Sequence, residues 1–515
     1  MKKYQLIIFM ILGTLLLTSA RFTNGKEKKP NVIIIYTDQQ RYNTIQALGN
    51  QFIKTPNLNK LMQDGIAFKN SFVTAPVCTS SRSSLHSGMY VSSHKTYSNH
   101  HGGGRPQTNL PLELKKNGYQ TAVIGKNHSF LNKQDIDVFI HTPRFKSKPE
   151  DKRSAIKAMP WEVEEDPMFK LTDSAINLLK ENDDPQFIWL SYLYPHSPFM
   201  LPEPYFSMYD TIDIPKPVVE ANGLKEANKP FRQQIHQKNN DLLLPYDLKT
   251  TMRMKRNYYG MISMIDAEIG RLISFLKKEN LYDNTIIIFT SDHGDYMGDH
   301  GLYTKSPAMY DCLVRVPLII TYPQKVGGNI ISSELISNID LMPTILDFVD
   351  IDIPSQVEGI SFVDYLTDGS EKHLRKNVIA EYGLPGNSIH SFEELEAQVP
   401  SFPERPFQFS KGVPWEANPV ALAGRFRMLR TENWKLVYDN DKNSELYDLE
   451  NDPNELHNLY FDESYSRIKN RLIKALKKEM KKYNLDQSDA LPISTENIER
   501  YNEYISKDLN VMKMY

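Results

Sequence analysis

The chain has 515 residues, of which 40% are hydrophobic and 24% are charged, and its formal net charge is −2. This balance is typical of a large globular protein with a sizeable core. The near-neutral charge argues against nucleic acid as a partner. The length is compatible with about two to four domains, and equally with one large α/β core that carries a small appendix.

The first 20 residues have the layout of a signal peptide. Lys2 and Lys3 precede an apolar run over residues 6–17, and small residues follow at 18–20. The apolar run is too short to span a bilayer comfortably, so we expect cleavage after export, and a retained membrane anchor is the alternative. The sequence thus predicts an exported protein, periplasmic or secreted, with no membrane contact once the signal is removed.

Four short apolar runs have the length of buried strands, and polar residues stand at or just beyond the end of each. The runs cover residues 32–36, 121–125, 187–191 and 285–289. The polar residues are Asp38, then Lys126 and His128, then His196, and finally Asp292 and His293. Helical stretches alternate with these runs, including an amphipathic helix over 262–276. The pattern predicts an α/β fold with a large mixed, mostly parallel sheet flanked by helices, with its site at the carboxyl ends of the strands.

The pattern changes toward the C-terminus. Strand-like runs at 426–430, 434–438 and 445–449 are joined by short polar segments, which favours antiparallel pairing. An amphipathic helix with apolar residues at 468, 472, 476 and 480 follows. We expect a signal peptide over 1–20, a catalytic domain over 30–375 and a C-terminal α+β subdomain over 376–515. Polar, Pro-containing stretches at about 140–165, 200–250 and 383–425 are expected to be functional loops or disordered segments.

The most distinctive stretch covers residues 74–88. Cys78, one of two cysteines, precedes Arg82 by four residues, and small hydroxyl residues follow up to Gly88. A cysteine at the start of a helix lies where the N-terminal amides favour an anion, so the stretch is predicted to hold an oxyanion. A buried free cysteine in a small-residue turn is the alternative for Cys78 taken alone. We expect no disulfide with Cys312, because the two are far apart and one lies in a catalytic-looking motif.

A second group of polar residues has the composition of a metal site. Asp38 and Gln39 follow the first run, and Asp292 and His293 follow the last. Carboxylates and an amide oxygen are the ligands that a hard divalent cation prefers, and calcium tolerates histidine less readily. Residues 291–305, which add further aspartates and Lys305, make this signal more specific than a single aspartate. A solvated polar loop with capping aspartates is the alternative.

The stretch at 78–88 resembles the signature of the type I sulfatases, Cys-x-Pro-x-Arg followed by Thr/Ser-Gly, in the alkaline phosphatase superfamily. The match covers Cys78, Ser81, Arg82, Leu85, Ser87 and Gly88, and Ser80 stands where the family has Pro. In that family a formylglycine-generating enzyme oxidises the cysteine to formylglycine, the catalytic nucleophile. Residues 125–128, 195–198, 291–294, 315–317, 434–436 and 445–453 resemble other family motifs in the same order. The resemblance therefore runs from about residue 30 to 460.

The resemblance also implies roles for these residues. Asp38, Gln39, Asp292 and His293 would hold the metal, expected to be calcium, together with the modified Cys78; the family more often has a second Asp where Gln39 stands. The implied catalytic residues are Cys78, Arg82, Lys126, His128, His196 and Lys305. Arg82, Lys126 and Lys305 would balance negative charge on the sulfate group as it is transferred. His128 would be the base that allows sulfate to be expelled, and His196 with Lys305 would donate protons near the leaving oxygen.

The resemblance predicts a sulfuric ester hydrolase that acts on a sulfated carbohydrate, a polysaccharide or its oligosaccharides. Residues 94–105 mix aromatic, charged and amide side chains as carbohydrate pockets do, which makes His100 and Arg105 substrate-binding candidates; a solvated histidine-rich loop is the alternative. The competing functions are a phosphonate monoester or phosphodiester hydrolase of the same superfamily, a secreted glycan-binding protein without catalysis, and a transferase of phospho-groups to glycans.

Overall fold

The computed structural model describes residues 28–97, 99, 105–143, 156–182, 184–221, 228–243, 246–305, 307–369, 374–383, 424–439 and 443–485. The signal peptide predicted over residues 1–20 lies outside these residues.

The centre of the described chain is an eight-stranded sheet. In chain order the strands are β1 (Asn31–Thr37), β2 (Ile66–Phe72), β3 (Gln120–Gly125), β4 (Val138–Ile140), β5 (Ile156–Met159), β6 (Gln186–Ser191), β7 (Phe199–Pro202), β8 (Thr285–Ser291), β9 (Arg315–Thr321), β10 (Ile330–Ser337), β11 (Val378–Tyr382), β12 (Phe426–Arg430), β13 (Trp434–Tyr438) and β14 (Glu445–Asp448). The central sheet has the order β10-β2-β9-β8-β1-β6-β3-β4, and β5 pairs with β7 separately. Within the central sheet β9 alone pairs antiparallel with its neighbours, which confirms the predicted mixed, mostly parallel sheet.

Helices cover both faces of this sheet. They are α1 (Pro56–Gln63), α2 (Cys78–Ser87), α3 (Val91–His94), α4 (Leu110–Lys116), α5 (Pro167–Glu181), α6 (Phe231–Leu243), α7 (Leu248–Lys278), α8 (Asp311–Val314), α9 (Leu341–Phe348), α10 (Val363–Asp368) and α11 (Ser466–Lys482). Among the helices in the described ranges, none combines the length and the apolar character needed to cross a membrane.

The alternation of side chains along β1 shows how the two layers form. Ile33 and Ile35 pack into a core with α1, α5 and α7, whereas Val32 and Ile34 pack into a second core with α2, α4, α9 and α10. Successive side chains of a strand point to opposite faces, so a strand covered on both faces needs apolar residues throughout. The continuous apolar run at 32–36 is therefore explained by its central position between β8 and β6.

A second, smaller sheet lies in the C-terminal part of the chain. It has the order β11-β12-β13-β14, and every pairing is antiparallel. The short connections predicted this for β12, β13 and β14, whereas β11 was not predicted. Helix α11 contributes Leu472, Leu476 and Met480 to the core that it shares with this sheet. The predicted α+β character of the subdomain is confirmed, and the exact boundary near residue 375 stays a prediction.

Two features of the fold differ from the sequence-based expectation. The edge strand β10 and its neighbour β2 were not predicted. Lys69 is exposed within β2, and Ile330 and Ile331 are exposed in β10, so neither strand has a buried-strand pattern. The prediction of a loop over 140–165 is wrong for residues 156–159, which form β5. The prediction of a loop over 200–250 is wrong at both ends, which belong to β7 and α7, and for residues 231–243, where the polar helix α6 forms. Of the predicted loop at 383–425, residues 384–423 lie outside the described ranges.

Candidate active site

The predicted site residues follow neighbouring strands at one edge of the central sheet. Asp38 follows β1, Asp292 follows β8 and Lys126 follows β3, and these strands are parallel members of the run β8-β1-β6-β3. Because the carboxyl ends of parallel strands meet at one edge, the three side chains converge. Cys78 is the first residue of α2, as predicted, and it is buried beside them.

Four of the five side chains proposed to bind metal form one compact cluster. One ligand atom each from Asp38, Cys78, Asp292 and His293 lies within 4.8 Å of the others. All four side chains are buried. Two buried carboxylates need cations nearby, because an unpaired charge is costly to bury.

Cations and histidines surround the sulfur of Cys78. Its Sγ lies 2.9 Å from Lys305 Nζ, 3.2 Å from His293 Nε2 and 3.8 Å from Lys126 Nζ. Burial alone would raise the pKa of this thiol, but Lys126, Lys305 and His293, together with His128, hold the pKa well below its usual value. Residue 78 thus lies in an environment that stabilises negative charge.

Arg82 is fully buried and lies against the carboxylates of Asp292 and Asp38. Its Nε donates to Asp292 Oδ2 at 2.9 Å, and its Nη1 donates to the Lys126 carbonyl and to Ser191 Oγ, each at 2.8 Å. Its Nη2 lies 3.7 Å from Asp38 Oδ2 and is without a hydrogen-bond partner in the described chain. The guanidinium therefore ties together the ends of three strands.

Asp38 is held in its ionised form. Its Oδ2 accepts from Lys126 Nζ. Burial and the neighbouring Cys78 raise the pKa of Asp38, but Lys126, His196 and Arg82 outweigh them and hold the pKa below its usual range. An ionised carboxylate at this position is what a divalent cation requires of a ligand.

Gln39 brings an amide oxygen into the same cluster. Its backbone has φ 72°, and its N–H donates to Asp292 Oδ1 at 2.9 Å. Its side-chain Oε1 accepts from Lys305 Nζ at 3.2 Å, while its Nε2 donates to Asp295 Oδ2. Two carboxylates, one imidazole and residue 78 converge. The Gln39 amide oxygen shares the neighbour Lys305 with residue 78 and His293. A divalent cation fits this donor set.

The two predicted catalytic histidines lie within electrostatic reach of the cluster. His128 has φ 40°, and burial lowers its pKa although the neighbouring Cys78 raises it. Burial also lowers the pKa of His196 to about 3, with Asp38 partly offsetting it. The Nδ1 of His196 lies 2.6 Å from its neighbour's carbonyl oxygen, which leaves Nε2 free to face other groups.

The structure describes one of the two substrate-binding candidates. His100 lies outside the described residues. Arg105 Nη2 donates to Oδ1 of the buried Asp135 at 2.6 Å, and its Nη1 donates to the exposed Gln134. His94, from the same stretch, is buried with Nε2 2.8 Å from Ser84 Oγ, which is a packing role.

Sequence reasoning missed three residues that hold the site together. Ser191 accepts from Arg82, Asp295 accepts from Gln39, and Tyr258 donates its hydroxyl hydrogen to the Gln39 carbonyl at 2.6 Å. Ser191 and Asp295 each stand at or beside a predicted strand end, so their positions carried a signal. Tyr258 lies inside the amphipathic helix α7, where a buried tyrosine looks like packing.

The chain was compared with known proteins. The sulfatase family model matches residues 30–351. The arylsulfatase of Clostridium perfringens is 30% identical over 501 residues, which cover 88% of this chain and 94% of that protein. The chain belongs to the sulfatase family. This sulfatase is accordingly a sulfuric ester hydrolase, and its family generally uses a metal and a formylglycine. A model for the C-terminal part of N-sulphoglucosamine sulphohydrolase matches residues 415–482.

Other relatives of this sulfatase differ in their substrates. The N-acetylglucosamine-6-O-sulfatase of Bacteroides thetaiotaomicron is 24% identical, with 95% of this chain and 93% of that protein covered. Two solved structures share the fold at 23% identity. One is the phosphonate monoester hydrolase of Agrobacterium radiobacter, with TM-score 0.73 over 90% of this chain and 97% of that one. The other, in complex with its substrate D-glucosamine-2-N,6-O-disulfate, has TM-score 0.70 over 90% and 99%.

Proposed function

We propose that this sulfatase removes sulfate from a sulfated carbohydrate, a polysaccharide or its oligosaccharides, and that Cys78 is its nucleophile after conversion to formylglycine. The observation that carries the proposal is the position of Cys78, whose Sγ lies within hydrogen-bonding distance of Lys305 and His293 in a buried cluster with two carboxylates. A relative that desulfates N-acetylglucosamine and a fold neighbour that binds a disulfated glucosamine support the carbohydrate substrate.

The side chains around residue 78 have different proposed roles, which follow from their positions. A hydrated aldehyde there supplies one hydroxyl to attack sulfur and a second whose deprotonation lets sulfate leave. Lys126 and Lys305, whose Nζ atoms lie 3.8 Å and 2.9 Å from Sγ, are placed to bind the sulfate oxygens. His128, which acts on the pKa of Cys78, is the candidate base that would take the hydroxyl proton. His196 and Lys305 are the candidate proton donors to the leaving oxygen.

Arg82 has a positioning role in this proposal. Its donors already contact Asp292, Ser191 and the Lys126 carbonyl, so it orients the metal-binding carboxylates and the lysine segment. Asp38, Gln39, Asp292 and His293, with residue 78, would hold a divalent cation, proposed to be calcium. The cation would stabilise negative charge on the sulfate oxygens.

The remaining parts of the proposal concern where the protein works. The layout of residues 1–20 supports a cleaved signal peptide and an exported protein, periplasmic or secreted. A formylglycine-generating enzyme is the partner that Cys78 requires. The proposed organisation is a catalytic domain over 30–375 and a C-terminal subdomain over 376–515.

A phosphonate monoester hydrolase is the second candidate, because the Agrobacterium radiobacter enzyme shares the fold. The PehA protein of Trinickia caryophylli, a multifunctional alkaline phosphatase superfamily protein, is 27% identical with 85% of this chain and 93% of that protein covered. The pair Lys126 and His128 favours the sulfatase, since the phosphonate hydrolases tend to have Tyr and Thr at these positions.

The deciding experiment compares three substrate classes with one enzyme preparation. Release of product is measured from sulfated oligosaccharides, from an aryl sulfate and from a phenyl phosphonate ester, with Cys78→Ala as the blank. We expect kcat/KM to be highest for a sulfated oligosaccharide. A phosphonate ester as the best substrate would replace the proposal by the second candidate, and an aryl sulfate turned over as well as every glycan would remove the carbohydrate assignment.

The substrate-binding candidates are tested in the same assay. Arg105→Ala and His100→Ala should raise KM for the glycan and leave aryl sulfate turnover unchanged, because only the larger substrate extends beyond the sulfate. Lys325→Ala, at an exposed surface lysine, is the control. An equal loss of turnover on both substrates would show that these two residues do not bind the sugar.

A further inference from the structure

The side-chain amide of Gln39 lies between two groups whose hydrogen-bonding character is fixed. On one side Nε2 donates to Asp295 Oδ2, and on the other Oε1 accepts from Lys305 Nζ at 3.2 Å. An ionised carboxylate only accepts hydrogen bonds and an ammonium group only donates them. Both neighbours therefore impose the same orientation on the amide, with its nitrogen toward Asp295 and its oxygen toward Lys305, whose Nζ also contacts Cys78 and His293.

The rest of Gln39 is held in place independently of this amide. Its N–H donates to Asp292 Oδ1 at 2.9 Å, and its carbonyl accepts from the Tyr258 hydroxyl at 2.6 Å. The residue is 1% exposed. Rotation of the terminal amide by half a turn is the remaining change that would alter what Gln39 presents to the cluster, and that rotation costs no change of shape.

Asp295 is itself fixed by the backbone. Its Oδ1 accepts from the Met297 N–H at 2.7 Å, which leaves Oδ2 directed at Gln39. Asp295 is fully buried. It lies two residues beyond His293 in the loop after β8, and the mechanism above makes no use of it.

We propose that Asp295 is a positioning residue that holds the Gln39 amide with its oxygen toward the metal cluster. The inference rests on the proposed metal site. A carboxylate at position 39 would present an oxygen whichever way it turned, but an amide has one end that binds a cation and one end that does not. A chain with glutamine at this position needs neighbours that distinguish the two ends, and Asp295 does so at the nitrogen end, opposite Lys305.

The substitution Asp295→Asn is isosteric and has a specific consequence. The Met297 N–H can only donate, so the new asparagine must present its oxygen to Met297 and its NH2 group to Gln39. Two NH2 groups cannot hydrogen-bond to each other, so Gln39 must turn its oxygen toward residue 295 and its nitrogen toward the cluster. Changes to residues that orient a metal ligand typically cost about 10- to 100-fold in metal affinity, and we expect Asp295→Asn to weaken calcium binding by that amount.

The exchange of the two groups should restore binding. In Gln39→Glu with Asp295→Asn, the asparagine NH2 donates to one oxygen of the glutamate and the other oxygen faces the cluster. The double variant has the same shape and the same total charge as the wild type. In Gln39→Glu alone, two carboxylates face each other across a hydrogen-bonding distance and one must take up a proton, which disfavours this arrangement at pH 8.

The experiment is a double-mutant cycle read by calorimetric titration of each chelated protein with CaCl2 at pH 8. Every variant is produced in the same host and checked by mass spectrometry at residue 78, and its Tm is measured in EDTA. Asp299→Asn is the matched control: it lies in the same segment and accepts a backbone N–H, from Val218 at 2.9 Å, but it pairs with Arg41 and not with Gln39. It should keep wild-type calcium affinity.

The inference requires that glutamate at position 39 improves calcium affinity in the Asp295→Asn background and weakens it in the wild-type background. The same effect of Gln39→Glu in both backgrounds, or wild-type affinity in Asp295→Asn, would overturn it. If Asp295→Asn does not fold, a double variant that binds calcium no better than Gln39→Glu would overturn it as well. If the wild-type protein binds no calcium, the proposed metal site and the proposed role of Asp295 are both wrong. The other outcomes do not contradict the metal site.

Discussion

Lys305 Nζ lies 2.9 Å from Cys78 Sγ, although 227 residues separate the two in sequence. The loop after β8 therefore delivers an ammonium group to the first residue of α2. The same Nζ is 3.0 Å from His293 Nε2 and 3.2 Å from Gln39 Oε1, so Lys305 contacts both the nucleophile position and two of the proposed metal ligands. Its positive charge therefore lies beside the sulfur of residue 78.

Lys305→Met should lower kcat without unfolding the protein. The substitution keeps much of the side-chain volume and removes the cation nearest to residue 78, and loss of one group that stabilises developing charge typically costs about 100- to 1,000-fold in kcat. Steady-state kinetics on an aryl sulfate and a circular dichroism spectrum would measure both effects. Lys325→Met, at the surface, is the matched control, and wild-type kcat in Lys305→Met would contradict the role.

Cys78 should carry an aldehyde in the active protein, and Cys312 should not. Both cysteines are free thiols and both are buried, but only Cys78 lies in the cluster with Lys305 and His293. Peptide mass spectrometry should find formylglycine at position 78. Cys78→Ala should abolish turnover with the fold intact, and Cys312→Ala should keep both turnover and the modification. A free thiol at position 78 in fully active enzyme would falsify the proposed nucleophile.

Removal of divalent metal should lower both activity and thermal stability. A cation that binds the folded cluster and not the unfolded chain stabilises the fold by about 2.7 kcal/mol at one hundred times its Kd. We expect EDTA to lower Tm and calcium to restore it, and we expect Asp292→Asn to lose this response. An enzyme whose Tm and turnover are the same with and without EDTA would rule out the metal.

The sequence predicted the parts of this site that depend on a single strand. The apolar runs at 32–36 and 285–289 lead directly to Asp38 and Asp292, because a buried parallel strand leaves its polar residues at its carboxyl end. The contact between Gln39 and Asp295 was not predictable in this way, since it depends on the pairing of β1 with β8 and on the left-handed backbone of Gln39. Contacts that form between elements need the three-dimensional register.

The same reason explains which strands were missed. The central strand β1 has apolar side chains on both faces, so its own sequence is enough to predict a strand. In β2 the exposed Lys69 interrupts the pattern, because this strand lies next to the edge and one part of it faces water. A strand in the middle of a sheet is therefore easier to predict from its sequence than a strand near the edge.

Lys435→Met should destabilise the protein strongly. Lys435 is fully buried in β13, and its Nζ lies 2.6 Å from both Asp311 Oδ1 and Glu455 Oε1. Burial raises the pKa of Asp311, but Lys435 and two arginines hold that pKa below its usual range, so the carboxylate is ionised in the fold. Removing one partner of a buried ion pair costs about 3–5 kcal/mol.

Urea unfolding would measure this loss. Lys474→Met on the exposed face of α11 is the control, and it should change the free energy of unfolding by no more than about 0.5 kcal/mol. Equal stability of the two variants would show that the cation at 435 is not needed to join the small sheet to the segment around Asp311.

Glu358 should make the protein less stable as pH rises from about 4.5 to 7. Burial, with a contribution from the charge of Glu381, raises the pKa of Glu358 from its usual 4.5 to about 7 in the fold. The folded chain then binds a proton in this window that the unfolded chain has already lost, and stability falls with pH wherever the folded state holds more protons. The carboxyl group still accepts from the Tyr90 N–H at 2.6 Å and from Ser93 Oγ at 2.7 Å, so it is needed structurally.

Glu358→Gln isolates this effect, because the amide oxygen can accept a hydrogen bond but the group cannot titrate. We expect the free energy of unfolding of the variant to fall less than that of the wild type between pH 4.5 and 7, with the largest difference at the upper end of this window. The comparison needs urea unfolding curves at several pH values, with Glu279→Gln at an exposed position as the control. Parallel pH profiles for wild type and Glu358→Gln would mean that Glu358 titrates in the fold as it does in the unfolded chain.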